Sequence, residues 1–225
     1  MFTGIVEIVG RVASIEGRGG GVRLLVDAGD WAYRPSAGDS IAVSGVCLTH
    51  APAAGDGAGL LGFDAVHETL NRTTLGDLRV GSGVNLEPSL TATSMLGGHF
   101  VQGHVDGIAR VVEVQNAGGD WRTTFEADES LMPCVVPKGS IAIDGVSLTL
   151  ATVDAAARRF SVALIPTTLE LTTLVDLAVG DRVNIETDMI ARTVVNYLKH
   201  WADGAVEGPS GGLTMEKLRD AGFLE

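Results

Sequence analysis

The feature that most constrains this chain is that it is one module written twice. Gly38-Asp-Ser-Ile-Ala-Val-Ser-Gly-Val-Cys-Leu-Thr49 lies over Lys138-Gly-Ser-Ile-Ala-Ile-Asp-Gly-Val-Ser-Leu-Thr149 at an offset of 100 residues. Farther on, Thr69-Leu-Asn-Arg-Thr-Thr-Leu-Gly-Asp-Leu-Arg-Val-Gly81 and Val84-Asn-Leu-Glu87 match Thr168-Leu-Glu-Leu-Thr-Thr-Leu-Val-Asp-Leu-Ala-Val-Gly180 and Val183-Asn-Ile-Glu186 at an offset of 99. The starts match more faintly, Gly4-Ile-Val-Glu-Ile-Val-Gly-Arg-Val12 over Gly103-His-Val-Asp-Gly-Ile-Ala-Arg-Val111. Solenoid repeats run to about 20–45 residues, so this longer period predicts tandem domains.

Inside each module, short runs of Val, Ile, Leu and Thr are punctuated by Gly, Asp and Pro. Val22–Val26, Ser40–Val43 and Phe160–Ile165 read as strands, with turns at Ala28–Asp30, Ala54–Asp56 and Ala117–Asp120. About six strands per module suit a small closed barrel, which leaves no exposed sheet edge. Short helices are expected near Leu70–Leu75 and Leu169–Leu174. After Asp188, the residues Ile190, Val194, Tyr197, Leu198 and Trp201 form an apolar stripe at helical spacing. Either a sister subunit or its own barrel would cover that stripe, and the pattern leaves the two readings level. The expected organisation is a barrel over 1–98, a second over 99–187, a helix over 188–202 and a flexible tail over 203–225. A last short helix is expected from Leu213 to Phe223, capped by Thr214 and ended at Gly222.

Composition closes off several functions. The 225 residues carry 16 Lys and Arg against 28 Asp and Glu, a net charge of −12, with no basic cluster to displace counterions from nucleic acid or anionic lipid. No apolar run is long enough for a membrane span, and the start lacks the pattern of a secretory signal. Cys47 and Cys134 are too few for a disulfide framework and sit at no metal-type spacing, which reads as reduced thiols in a cytoplasmic protein.

Met1-Phe-Thr-Gly-Ile-Val-Glu7, the paired Gly45-Val-Cys-Leu-Thr49 and Gly145-Val-Ser-Leu-Thr149, and Gly97-Gly-His-Phe-Val-Gln-Gly-His-Val-Asp-Gly107 resemble the alpha-chain (trimeric) riboflavin synthase family. The resemblance runs from Met1 to the C-terminal helix. It implies an all-β fold of two homologous six-stranded Greek-key barrels plus a C-terminal α-helix. It also implies a homotrimer held by those helices, active sites between subunits, association with lumazine synthase, and no metal or organic cofactor. The implied reaction is a dismutation, in which two molecules of 6,7-dimethyl-8-(1-D-ribityl)lumazine give riboflavin and 5-amino-6-(D-ribitylamino)uracil. The rival is a non-catalytic lumazine- or flavin-binding protein of the same fold. Two positions depart from the family pattern, Pro88 in place of an Arg and Thr193 in place of an aromatic.

Two identical substrates with unlike roles direct attention to matched positions that differ: Cys47 against Ser147, Ile5 against His104, Thr3 against Gln102, Gly38 against Lys138, Ser44 against Asp144 and His67 against Pro166. A neutral His can remove the C7-methyl proton, and hydroxyls can stabilise charge developing in the ring. His104 is therefore the leading base, with Ser147 and Thr149 as hydroxyl donors. Cys47 reads equally as a nucleophile and as a small buried apolar residue. Asp188 matches a family residue that orients the site, and its bland reading is a helix N-cap. Lys138 matches a family substrate contact, although a surface turn would look the same. His99 is the weaker histidine, and a metal shared with His104 is not expected, because a separation of five puts the two on opposite strand faces unless a bulge near Gly103 intervenes, and no third ligand lies nearby. The Thr73-Thr74 and Thr172-Thr173 pairs read as turn caps. A flat heterocycle can pair with backbone as a strand would, which gives two expected walls. One is Gly4, Ile5 and Val6 with Cys47, Leu48 and Thr49 and with Asp64, Ala65, Val66, His67, Glu68 and Thr69. Its mate is Gly103, His104 and Val105 with Ser147, Leu148 and Thr149 and with Ala163, Leu164, Ile165, Pro166, Thr167 and Thr168.

Overall fold

A computed structural model describes residues 1–202 except Gly55, Ala58 and Gly118 and the side chains of Ala117 and Asp120, together with Arg219 and Gly222. The expected flexible tail and its last helix lie outside the described residues. Both barrels belong to one compact unit, Met1–Ala191.

The N-terminal module has strands β1 (Ile8–Arg18), β2 (Gly21–Asp27), β3 (Ser40–Val43), β4 (Val46–Thr49), β5 (Leu60–Val66) and β6 (Gly83–Pro88). The C-terminal module repeats them as β7 (Gly107–Ala117), β8 (Asp120–Ala127), β9 (Ser140–Ile143), β10 (Val146–Asp154), β11 (Arg159–Leu164) and β12 (Arg182–Thr187). The sheet orders correspond, β4-β3-β6-β1-β2-β5 and β10-β11-β8-β7-β12-β9, yet only the second closes fully. In the first module β4 and β5 are not paired as a ladder; just past β4, an isolated bridge from His50 to Phe63 and a hydrogen bond from Ala51 N to Gly62 O at 2.9 Å span the seam. The cause is local: β10 continues through Ala151-Thr152-Val153, whereas β4 runs into Ala51-Pro52, and a proline has no N–H for the ladder. Each barrel buries its own apolar core, Val43, Phe63 and Leu86 in one and Ile143, Phe160 and Ile185 in the other.

The short helices start earlier than expected. They are α1 (His67–Arg72) and α2 (Pro166–Leu171), each followed by a 3-10 turn, Thr74–Asp77 and Thr173–Asp176. Pro166 occupies the first turn of α2, where its fixed φ suits the helix and its missing N–H costs nothing. Thr73 and Thr172 cap the 3-10 turns, their hydroxyls accepting from Leu75 N and Leu174 N at 3.3 Å. The C-terminal helix α3 (Met189–Ala202) is capped by Asp188, whose Oδ1 accepts from Ile190 N at 2.8 Å. Its residues Ile190, Val194, Tyr197, Leu198 and Trp201 are exposed. Among the described residues no helix is long and apolar enough to cross a membrane.

The modules meet around an approximate two-fold axis. Ser44-Gly45 and Asp144-Gly145 form the β3–β4 and β9–β10 turns with φ of 43° and 78°, and of 44° and 80°, the positive pair of a type I′ hairpin. The two turns lie back to back, so a Cβ at Gly45 would sit 2.6 Å from the Gly145 nitrogen. Asparagines cross-link them: Asn85 Nδ2 donates to Asp144 O at 2.9 Å and Asn184 Nδ2 to Ser44 O at 2.8 Å. Each amide oxygen then accepts from the other module's 3-10 turn, Asn85 Oδ1 from Thr173 N at 2.8 Å and Asn184 Oδ1 from Thr74 N at 2.7 Å.

At this contact the repeat differs in charge, since Ser44 is matched by Asp144. Burial pushes the Asp144 carboxyl up to about 7, against the opposing hydrogen bond from Asn184 N. Its folded pKa lies above the unfolded value, so the proton is held more tightly in the folded state. Stability should fall as pH rises from about 4 to about 7 and then level off, with an upper bound of about 4 kcal/mol at 1.36 kcal/mol per unit. Urea melts of Asp144→Asn should show a flatter profile across that window. A loss as steep as that of the parent protein would refute the assignment.

Candidate functional site

The chain ahead of each barrel's first strand crosses to the other barrel. Phe2 and Val101 pair as an antiparallel bridge, with N···O distances of 2.7 and 3.1 Å. From there Gly4 O accepts from Ser147 N at 2.7 Å, and Gly103 O accepts from Cys47 N at 2.8 Å. The side chains follow, since Val6 is buried in the C-terminal core and Val105 packs against the N-terminal core. Both crossings need glycine, with φ of 75° at Gly4 and 77° at Gly103. A Cβ there would come within 2.6 Å of the Ser147 or Cys47 Cβ.

The expected walls are corrected accordingly. Gly4, Ile5 and Val6 join Ser147, not Cys47, and Gly103, His104 and Val105 join Cys47, not Ser147. Nothing in the repeat pattern distinguishes a module that keeps its own first segment from one that exchanges it. The strand-edge expectation is also corrected: Asp64 to Val66 end β5 and Ala163 and Leu164 end β11, but His67, Glu68 and Thr69 open α1, and Pro166, Thr167 and Thr168 open α2. Ile165 is the extended residue before α2.

In the first half-site a hollow of about 190 Å³ is lined by Cys47, Glu68, Thr69, Arg72, Thr73, Gly103, His104 and Val105 with Val46. Cys47 is half-buried against Phe2, Ala42, Val101 and Ala142. Leu48 turns into the barrel core, so only its backbone faces the site, while Thr49 is exposed on the Cys47 side of β4. Asp64 is held by Arg18 at 3.5 Å and by the fully buried Arg23 at 3.3 Å, and Arg23 also binds Asp56 at 2.5 Å. Sequence reasoning missed Arg23. Its one signal is a lone charge within Val22-Arg-Leu-Leu-Val26.

The second half-site is organised by a residue given little weight from sequence. His99 is buried, and its Nδ1 lies 2.7 Å from Ser147 Oγ. Burial pushes its pKa below the ordinary value, opposed by the charge of Asp188. The imidazole is thus neutral at physiological pH. Its Nε2 is buried without a hydrogen-bond partner among the described residues. With the proton on Nε2, Nδ1 can accept the Ser147 hydroxyl proton and raise the nucleophilicity of Oγ. Comparing matched positions could not single out His99, because an offset of 99 places its mate before Met1. Asp188 therefore does two things, capping α3 and biasing His99.

Thr149 is exposed on the Ser147 face of β10, and Leu148 points into the core. Ala163, Ile165, Pro166 and Thr167 are exposed, and Leu164 is buried. Lys138 is exposed and adopts φ 63°, the left-handed conformation of its mate Gly38 at 94°. A lysine in a glycine's conformation costs roughly 1–2 kcal/mol. A hollow of about 500 Å³ lies at the inter-module axis between Ser44 and Asp144 and holds none of the candidate residues.

The lumazine binding domain family model matches the chain twice, over residues 3–89 and 102–188. The chain is 45% identical over 201 residues to the riboflavin synthase of Mycobacterium tuberculosis (strain ATCC 25618 / H37Rv), covering 88% of this chain and 98% of that one. It is 37% identical to that of Actinobacillus pleuropneumoniae, over 99% of this chain and all of the other. Among solved structures it is similar to LumP complexed with 6,7-dimethyl-8-(1'-D-ribityl) lumazine, with TM-score 0.72 and 26% identity over 83% of this chain and 99% of LumP. LumP complexed with riboflavin gives TM-score 0.73 and 28% identity over the same shares.

The electrostatics of the second half-site can be checked by NMR. His99 should titrate below the ordinary histidine value. Asp188→Asn, which keeps the cap oxygen but removes the charge that raises the His99 pKa, should lower it further. An upward move on that substitution would show that Asp188 does not act on His99 through its charge.

Proposed function

The chain belongs to the lumazine-binding-domain family and, within it, to the riboflavin synthases, and on that premise we propose that its reaction runs at composite half-sites built from both modules. The protein is an enzyme of riboflavin formation. Its reaction is the dismutation of two 6,7-dimethyl-8-(1-D-ribityl)lumazine molecules to riboflavin and 5-amino-6-(D-ribitylamino)uracil. A duplicated module suits two identical substrates, and the differences between its halves suit their unlike parts.

The observation that carries the assignment is the buried, neutral His99 paired with Ser147 at 2.7 Å. One substrate must lose a C7-methyl proton, and its partner ring must be opened to attack. The Ser147 hydroxyl, with His99 taking its proton, is placed to add to one ring or to relay the methyl proton. Thr149 adds a hydroxyl on the same face, and Asp188 supports positive charge on His99 as it accepts the proton. The other half-site offers Cys47 and the exposed imidazole of His104, which serves as proton carrier for the second ring. Lys138 and Asp64 reach for the polar ribityl chains. No step calls on a metal or organic cofactor.

The 190 Å³ hollow is smaller than the roughly 300 Å³ at which small-molecule pockets usually begin. That supports a site finished by a second surface, with the N-terminal half-site of one subunit facing the C-terminal half-site of its neighbour. The exposed apolar stripe of α3 supports an oligomer, which the family resemblance makes a homotrimer. Association with lumazine synthase and a cytoplasmic location complete the reading, the latter suited to Cys47 and Cys134, which form no disulfide among the described residues.

Incubation of the purified protein with the dimethyl ribityl lumazine alone should produce riboflavin fluorescence. Tight binding without product would leave the carrier of the same fold. Ser147→Ala should lower kcat by about 10²-fold or more while changing KM by less than about 3-fold. A rise in KM at unchanged kcat would reduce Ser147 to a binding contact.

A further inference from the structure

The repeated Val84-Asn-Leu-Glu87 and Val183-Asn-Ile-Glu186 motif takes no part in the chemistry above, although it is among the clearest matches between the modules. Its asparagines cross-link the two barrels. Its glutamates are 5% and 3% exposed, and a buried carboxylate persists only where donors offset its lost hydration. Both find such donors on the crossing segments. Glu87 accepts from Thr3 N at 2.6 Å, Thr3 Oγ1 at 2.8 Å and Gly4 N at 3.0 Å. Glu186 accepts from Gln102 N at 2.6 Å and from Gly103 N and His104 N at 2.9 Å.

The dipeptide that Glu87 holds presents its carbonyls to the opposite module. Thr3 O accepts from His99 N at 3.1 Å and Gly4 O from Ser147 N at 2.7 Å. The backbones of the two residues whose side chains pair at 2.7 Å are thus tied to a single dipeptide. That dipeptide is in turn fixed by one carboxylate. Glu186 fixes Gly103 and His104 in the same way, beside Cys47.

We propose that Glu87 is a positioning residue for the His99–Ser147 pair, acting from the N-terminal module through Thr3 and Gly4, and that Glu186 is its counterpart for the Cys47–His104 half-site. The inference rests on the catalytic reading of the His99–Ser147 pair. Each barrel thereby sets the geometry of the other's half-site. A glutamine in place of Glu87 keeps the volume but offers one acceptor oxygen, and its amide N–H would meet a backbone N–H. The dipeptide would shift, and a displacement of about 1 Å in a reacting group costs on the order of 10²-fold in rate.

The test is a double-mutant cycle on the full-length protein, with kcat and KM read for the dismutation. Glu87→Gln should lower kcat by about 10- to 100-fold with KM changed less than about 3-fold. In a Ser147→Ala background the same substitution should cost less than about 2-fold more, since the group it positions is gone, whereas Glu186→Gln should keep its full cost there. Equal cost of Glu87→Gln in both backgrounds would overturn the proposal and leave a structural clamp. Should circular dichroism show that Glu87→Gln does not fold, Thr3→Val, which removes the hydroxyl's bond to Glu87 and the one it accepts from Ile5 N while leaving both backbone bonds to the carboxylate, enters the cycle with the same criterion. If Ser147→Ala leaves kcat untouched, the catalytic reading itself fails, and the positioning proposal fails with it.

Discussion

Two backbone hydrogen bonds, Gly4 O with Ser147 N and Gly103 O with Cys47 N, decide how this molecule is put together. They require each module to send its first segment across the axis, and that in turn requires glycine at both crossings and a partner for every N–H carried across. The glutamates of the repeated motif supply them for Thr3, Gly4, Gln102, Gly103 and His104, the Thr3 hydroxyl for Ile5, and Phe2 and Val101 for each other. Once the segments cross, neither half-site belongs to one module, so the duplication yields two coupled sites instead of two independent pockets.

The same constraint accounts for where the repeat breaks its symmetry. The axis is held by pairs that do match, Asn85 with Asn184 and Gly45 with Gly145. The candidate site residues include pairs that do not, Cys47 with Ser147 and Ile5 with His104, together with His99. A dismutation gives its two identical substrates different work. A symmetric frame carrying unlike side chains suits that division.

Burial tunes the charges on this frame in directions that serve each position. His99 is kept neutral and able to accept a proton. Glu87 is pushed up by burial, while Thr3 and Gly4 draw it down. Asp144 is pushed far enough that its proton is held near neutrality, in the seam between the modules and away from the candidate residues. The first bears on the proposed chemistry, the second on the segment that ties His99 to Ser147, and the third on how firmly the modules hold together.

Much of this was legible in the order of residues. The offset of 99 to 100 residues gives two modules, apolar runs between Gly and Asp give short strands, and the spacing of Ile190, Val194, Leu198 and Trp201 gives the last helix, because each is a periodicity that local backbone geometry reads directly. Cys47, Ser147, His104 and Asp188 could be chosen by comparing the halves or by family resemblance. The exchange of the first segments, the pairing of His99 with Ser147, the buried Arg23 and the open seam of the first barrel were decided only in three dimensions. These depend on which strands meet across long sequence separations. A repeat specifies the same local structure twice, but which copy of a segment completes which barrel depends on the packing and hydrogen bonds available once both have folded.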